Sequence, residues 1–280
     1  MYADISCSEL RKASPRLERA EGVARLAFRR RAGATRLATL YQEGCAKVRL
    51  PQPLPGAQPE AILINTAGGL TGGDSLSFEV VAGPGSSATI TTQACERIYR
   101  STGEDAVVVN RLVAEAGARL AWLPQETILF DGGRLVRRLE IDLADGAELL
   151  AVEAVLFGRA AMGEVVRSGA LKDRWRVRHS GKPIFADDFR IEGDIASRLA
   201  ASATLGGKRA MATVLAICPE PEERVEEVRE IIGSHGGASA WGGKLLVRLL
   251  AEDSLALRRR LEPLLSFLLA GRPLPKVWQL

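Results

Sequence analysis

The sequence predicts a mainly β protein, a body of stacked β layers followed by two C-terminal α-helices. Short runs of alternating polarity recur at residues 47–50, 61–64, 76–81, 88–92, 106–109, 139–143 and 175–178. Gly, Pro, Asp or Ser clusters separate them, as they separate strands. Helical segments of ten or more residues, which βα alternation requires, are missing between them. A weak internal repeat of strand, glycine turn and strand is centred on Gly85, Gly117 and Gly146, at spacings of 32 and 29 residues. Its first two copies continue to Gln93 and Gln125. A hairpin cannot bury its own apolar face, so stacked copies would share one core. Any β protein can show strand–glycine–strand at such intervals, so antiparallel and solenoid-like arrangements both stay open. Near residue 216 the pattern changes. Residues 219–232 place Val225, Val228, Ile231 and Ile232 on one helical face, with acids in the first turns and Gly233 as C-cap. A strand follows at 244–250. A second helix then runs from about Asp253 to Leu269 through Leu257, Leu261, Leu264, Leu265 and Leu268, with Pro263 as a candidate kink. No Pro/Ser-rich linker divides the β body, about 20–215, from the small α/β part, about 216–280, so the chain reads as one unit.

Composition narrows the function. The 280 residues are 46% hydrophobic and 26% charged with a net charge of +4, which excludes wholesale disorder. The basic triplets 29–31 and 258–260 are short and far apart, unlike the clustered charge of a nucleic-acid binder. Cys7, Cys45, Cys95 and Cys218 form no CxxC pair, and His179 and His235 fit no zinc spacing. Neither an 18-residue apolar run nor a signal-peptide core is present, and the expected setting is cytoplasmic, with reduced thiols and no membrane or nucleic-acid partner.

Several segments invite a chemical reading. Residues 65–74 hold four glycines in six positions and end on Asp74, yet they match neither a P-loop nor a dinucleotide fingerprint. What is left is a rigid loop positioning Asp74 and Thr71, or a glycine-rich turn with a capping aspartate. Residues 93–100 combine Cys95, Arg97 and Tyr99; residues 123–134 carry Glu126 and Asp131; residues 158–164 carry Arg159 and Glu164; residues 185–189 place two acids between aromatics. Glu126 and Asp131 suggest a carboxylate-pair hydrolase, but a lone pair of acids is more often salt-bridged. No nucleophile–base–orienter set is apparent. Carboxylates beside glycines, without a matched base, suit a path for a borderline cation or a docking surface better than covalent catalysis.

In this order, the segments at 40–51, 65–74, 92–101, 122–131, 158–164 and 182–187 resemble the urease accessory protein D family, UreD, also called UreH. The resemblance extends from about residue 20 to Trp278. It implies a mostly β, β-helical fold with two helices and no enzymatic activity. It also implies a scaffold that binds UreF, through it the GTPase UreG, and the urease apoprotein. Nickel would pass in transit through an internal channel, with no tightly bound cofactor. By motif, the acids tied to that channel fall on Asp74 and on Asp187, where relatives often carry Glu. Arg97, Tyr99, Glu126, Arg159 and Glu164 match other family positions and would line the channel, face a partner, or form ion pairs that fix loops. A structural adaptor without nickel conduction is the alternative, and a hydrolase using Glu126 and Asp131 is a third reading. The scaffold reading also expects an apolar docking patch, at the C-terminal helices or around Arg97 and Tyr99.

Overall fold

The computed structural model describes residues 18–52, 58–159 and 162–278. The start of the chain, read above for a leader, and residues 160–161 of the fifth family-like segment lie outside the described residues. The chain opens with a long hairpin, β1 (Glu21–Arg31) and β2 (Ala34–Gly44), and continues through β3 (Ala46–Arg49) and β4 (Glu60–Asn65). It then winds. β5 (Ser75–Ala82) lies in one sheet, β6 (Ser87–Thr92) in a facing sheet, and the short β7 (Glu96–Ile98) on a third side. β8 (Ala106–Ala114), β9 (Arg119–Leu123) and β10 (Thr127–Leu129) retrace that path, followed by β11 (Arg134–Leu143) and β12 (Glu148–Phe157). The hairpin β13 (Ser168–His179) and β14 (Lys182–Asp194) and the short α1 (Ile195–Ala200) close the body. β15 (Ala210–Ile217), α2 (Pro221–Ile232), β16 (Gly236–Trp241), β17 (Lys244–Ala251) and α3 (Ser254–Leu268) complete the chain.

The expected β-helical body with C-terminal helices is present. One sheet has seven strands in the order β14-β13-β11-β8-β5-β1-β2, parallel from β1 to β13. The other has ten, along β16-β17-β15-β12-β9-β6-β4-β3 with β7 and β10 attached, parallel from β4 to β12. Parallel pairing usually needs a helical crossover. Here a strand of the opposite sheet serves as the crossover, so the chain stacks on itself without helices. The three repeat glycines sit at the same corner with φ of 59°, 64° and 69°, a left-handed conformation that a Cβ disfavours. Successive corners hydrogen-bond to each other, Gly85 N–H to Ala116 O at 2.9 Å and Gly117 N–H to Asp145 O at 3.0 Å. The predicted helices stand at Pro221–Ile232 and Ser254–Leu268, the second running through Pro263 with Asp253 accepting from Ala256 N–H at 2.8 Å. The runs read from the sequence did not include β1, β2, β7, β10, β14, β15, β16 or α1.

Two cores result. One fills the space between the sheets. The other lies between the outer face of the second sheet and α2 and α3. β12, sandwiched on both faces, is therefore buried almost throughout and reads as a near-continuous apolar run. On the third side Leu70, Ile98, Leu129 and Phe157 stack in parallel register, each fully buried. Leu129→Ala should cost about 2–5 kcal/mol, because a stacked coil cannot relax into the gap. Urea denaturation measures it, and a loss below about 1 kcal/mol would refute the packed ladder.

Candidate functional site

The glycine loop is a clamp. Asp74 is 5% exposed; its Oδ2 accepts Thr71 N–H at 2.7 Å and its Oδ1 accepts Ala20 N–H at 2.9 Å. The first bond closes the loop on itself, and the second ties it to the segment that leads into β1. At Gly69 a Cβ would stand 2.3 Å from the Tyr99 ring, so that aromatic packs on bare backbone. The Tyr99 hydroxyl donates to Gly68 O at 3.2 Å, and its ring meets Phe130 edge-on at 5.2 Å. Arg159 lies over the Phe130 ring at 4.5 Å and pairs with Glu164 at 2.8 Å. That hydrogen bond holds the Glu164 carboxyl below its ordinary range. Asp131 accepts Ser168 N–H at 3.0 Å and Arg167 N–H at 2.8 Å and pairs with Arg100 at 2.6 Å. These residues thus form one surface ladder along the third side, with Tyr99, Met162 and Val165 exposed. Arg97, also exposed, gives its carbonyl to Leu70 N–H at 2.7 Å.

Glu126 lies elsewhere. Fully buried, it takes both 2.7 Å contacts of an Arg258 fork from α3, while Arg258 also reaches Gln125. Burial opposes its ionisation, but the hydrogen bonds and charge of Arg258 outweigh burial and hold it below the usual range. Cys95 points its thiol at Glu126 at 3.4 Å; burial first, then that negative charge, pushes the thiol to about 12. A neutral thiol is a poor metal ligand. Glu126 and Asp131 therefore occupy separate ion pairs and do not form an acid–base pair.

Between the sheets is a cavity of about 170 Å³. It runs from a mouth at Asn65, Glu96 and Arg97 inward to Asn110, Trp122 and Glu153. Asn65 donates to Glu96 at 3.1 Å, yet burial raises Glu96 to about 7. Deeper, Arg137 bridges Glu153 at 2.5 Å and Asp173 at 2.6 Å, and Trp122 Nε1–H donates to Glu153 at 3.0 Å. Burial, then the nearby Asp173 charge, raises Glu153 to about 7 against the pull of Arg137. Asn110 Oδ1 is buried without a partner among the described residues. Neither Asp74 nor Asp187 lines the cavity. Across the second sheet, however, Glu153 faces Thr213 and Thr213 faces Arg248 in register. Residues directly opposite share a face. Arg248 donates to Thr213 at 3.2 Å and pairs with Asp187 on β14 at 2.7 Å. A polar file thus leads from the cavity to Asp187. Among the described residues no three His, Cys, Asp or Glu side chains converge as a metal cage, and no helix is long and apolar enough to cross a membrane.

The model of the UreD urease accessory protein family matches residues 20–279. The chain belongs to that family. It is 52% identical over 269 residues to urease accessory protein UreD of Rhizobium rhizogenes, covering 96% of this chain and 98% of the relative. UreD 1 of Brucella melitensis is 53% identical over 266 residues, with 94% and 95% covered. UreD of Rhizobium etli is 53% identical over 266 residues, with 95% and 97% covered.

Within this family member, Arg137, Glu153 and Arg248 were not singled out from the sequence, and Glu96 entered only as the acid of the 93–100 segment. One signal was available: Glu153 is the lone charge inside the apolar run of β12.

Two outcomes follow from these partners. Glu126→Ala strands the half-buried Arg258 guanidinium and should cost about 3–5 kcal/mol in urea denaturation, partly restored by adding Arg258→Ala. A cost no larger than that of an exposed pair would overturn the clamp. Glu96 and Glu153 both bind their protons more tightly when folded. Their contribution is present in full below the unfolded carboxyl value of 4.5 and is lost as pH rises through about 7. The thermal midpoint should therefore fall between pH 5 and 8. Glu153→Gln should remove part of that decline, and Glu96→Gln with Glu153→Gln most of it.

Proposed function

We propose that this chain is a non-enzymatic scaffold of urease maturation that hands nickel to the urease apoprotein through its polar interior. Membership of the urease accessory protein UreD family supports the role in maturation. The single observation behind the nickel route is the acid-bearing cavity between the sheets, continued by the file through Thr213 and Arg248 to Asp187. Nickel is the cargo. Carboxylate and amide oxygens replace part of its hydration shell and release it again, because oxygen ligands hold such an ion loosely. Glu96 and Glu153, raised to about 7, are ready to exchange a proton for the metal at neutral pH. Asp187, at the half-exposed end of the file, receives or presents the ion. Asp74 shapes the loop beside the mouth. UreF, with UreG behind it, and the apoprotein dock on the exposed apolar residues of the third side, around Tyr99, Met162 and Val165, and of the C-terminal part, around Trp241 and Leu255.

One observation favours the adaptor reading instead. The Arg137 bridge to Glu153 and Asp173 closes the interior, so passage requires the guanidinium to yield to the incoming cation. Co-production with urease and its accessory proteins separates the two. Glu96→Gln with Asp187→Asn should leave the complexes assembled while nickel per urease active site falls about tenfold or more, as expected when charged ligands are removed from a metal route. Full nickel loading by intact complexes of this variant would leave only the adaptor.

A further inference from the structure

A second cavity, of about 260 Å³, shares no lining residue with the interior one. It lies where the start of β9 and β12 meets the end of β15, the first turns of α2 and the segment after α3. Its charged lining residues are Arg119, Arg224, Arg272 and the single acid Glu148. Arg119 and Glu148 pair with each other at 3.1 Å. Arg224 and Arg272 have no carboxylate partner among the described residues. Glu222, on the same helical turn as Arg224, is directed to Gly243 N–H at 3.3 Å. Arg272 spends its Nε on Leu269 O at 2.9 Å, while its Nη1 is buried without a partner.

Two guanidinium groups in a recess, one of them desolvated, are costly unless compensated. Burial and the Arg119 charge weaken the proton affinity of Arg272 against the opposing pull of Glu148, which places the three in one electrostatic neighbourhood. The N-terminus of α2, twelve residues long, also borders the recess, its positive end offset by Glu222 and Glu223 in the first turn.

We propose that this cavity binds a small oxyanion carrying two negative charges, a phosphate group or a short dicarboxylate, on Arg224 and Arg272. Guanidinium forks match both carboxylate and phosphate oxygens, and two unpaired cations call for a dianion. The site is separate from the nickel route and does not depend on it. Cys218 also lines the cavity, and its thiol is held up by burial, so a bound anion should shield it.

The full chain tests this at fixed ionic strength. Inorganic phosphate or succinate at millimolar concentration should raise the thermal midpoint above that in chloride. It should also slow alkylation of Cys218 by iodoacetamide, followed by mass spectrometry. A response to phosphate alone assigns a phosphate group, and a response to succinate alone assigns a dicarboxylate; either supports the site. Arg224→Gln with Arg272→Gln should abolish both effects, while Arg111→Gln on the exposed sheet face should keep them. If the double variant does not fold, Arg224→Gln alone decides, and it should raise the half-saturating concentration about tenfold. Equal behaviour in phosphate, succinate and chloride, or unchanged binding by folded Arg224→Gln protein, overturns the proposal.

Discussion

Everything in this molecule depends on backbone hydrogen bonding between successive turns of one coil. Residues near 80 pair with residues near 112, and those with residues near 141, always in parallel and with the corners bonded to each other as well. This register stacks like side chains over like. It builds the buried ladder of Leu70, Ile98, Leu129 and Phe157, and beside it the surface ladder of Tyr99, Phe130 and Arg159. A one-residue slip would exchange the faces of every strand beyond it. The register therefore fixes both the core and the groups that face outward.

The same construction explains why the interior is polar in one place. Two facing sheets normally interdigitate apolar side chains. In this body β8, β9, β11, β12 and β13 instead contribute Asn110, Trp122, Arg137, Glu153 and Asp173 within two residues of one another in register. Their pairings are nearly complete, which keeps the group tolerable inside the protein. Such a group contributes little to stability compared with an apolar filling of equal volume. Strength of fold does not account for its presence.

The coil length was legible because one corner glycine recurs at each turn, and the helices were legible from their apolar stripes and end signals. The hairpin of β1 and β2 was not, since its outer strand is largely exposed and its apolar alternation is broken by arginines. The third side escaped notice because β7 and β10 are three residues each, too short for any periodicity. Among the candidate residues, Glu126 could be named but its partner could not: Arg258 lies 132 positions away, and sequence spacing carries no information about such pairs. Asp74 was legible as the anchor of its loop, since an acid closing a glycine-rich turn commonly accepts local N–H groups. Asp187 gave no hint of Arg248, which belongs to the other sheet.

That distant clamp has a consequence for biosynthesis. Among the described residues, the outer face of the second sheet is covered by α2, α3 and the segment to Trp278, all of which follow the β body in the chain. Without that segment the apolar outer face of the second sheet would be uncovered, and contacts of such sequence separation form late. Chains interrupted by early termination or proteolysis near residue 220 would retain most of the β body yet be prone to clump. The segment from α2 to Trp278 is thus what takes the apolar outer face of the second sheet out of contact with water.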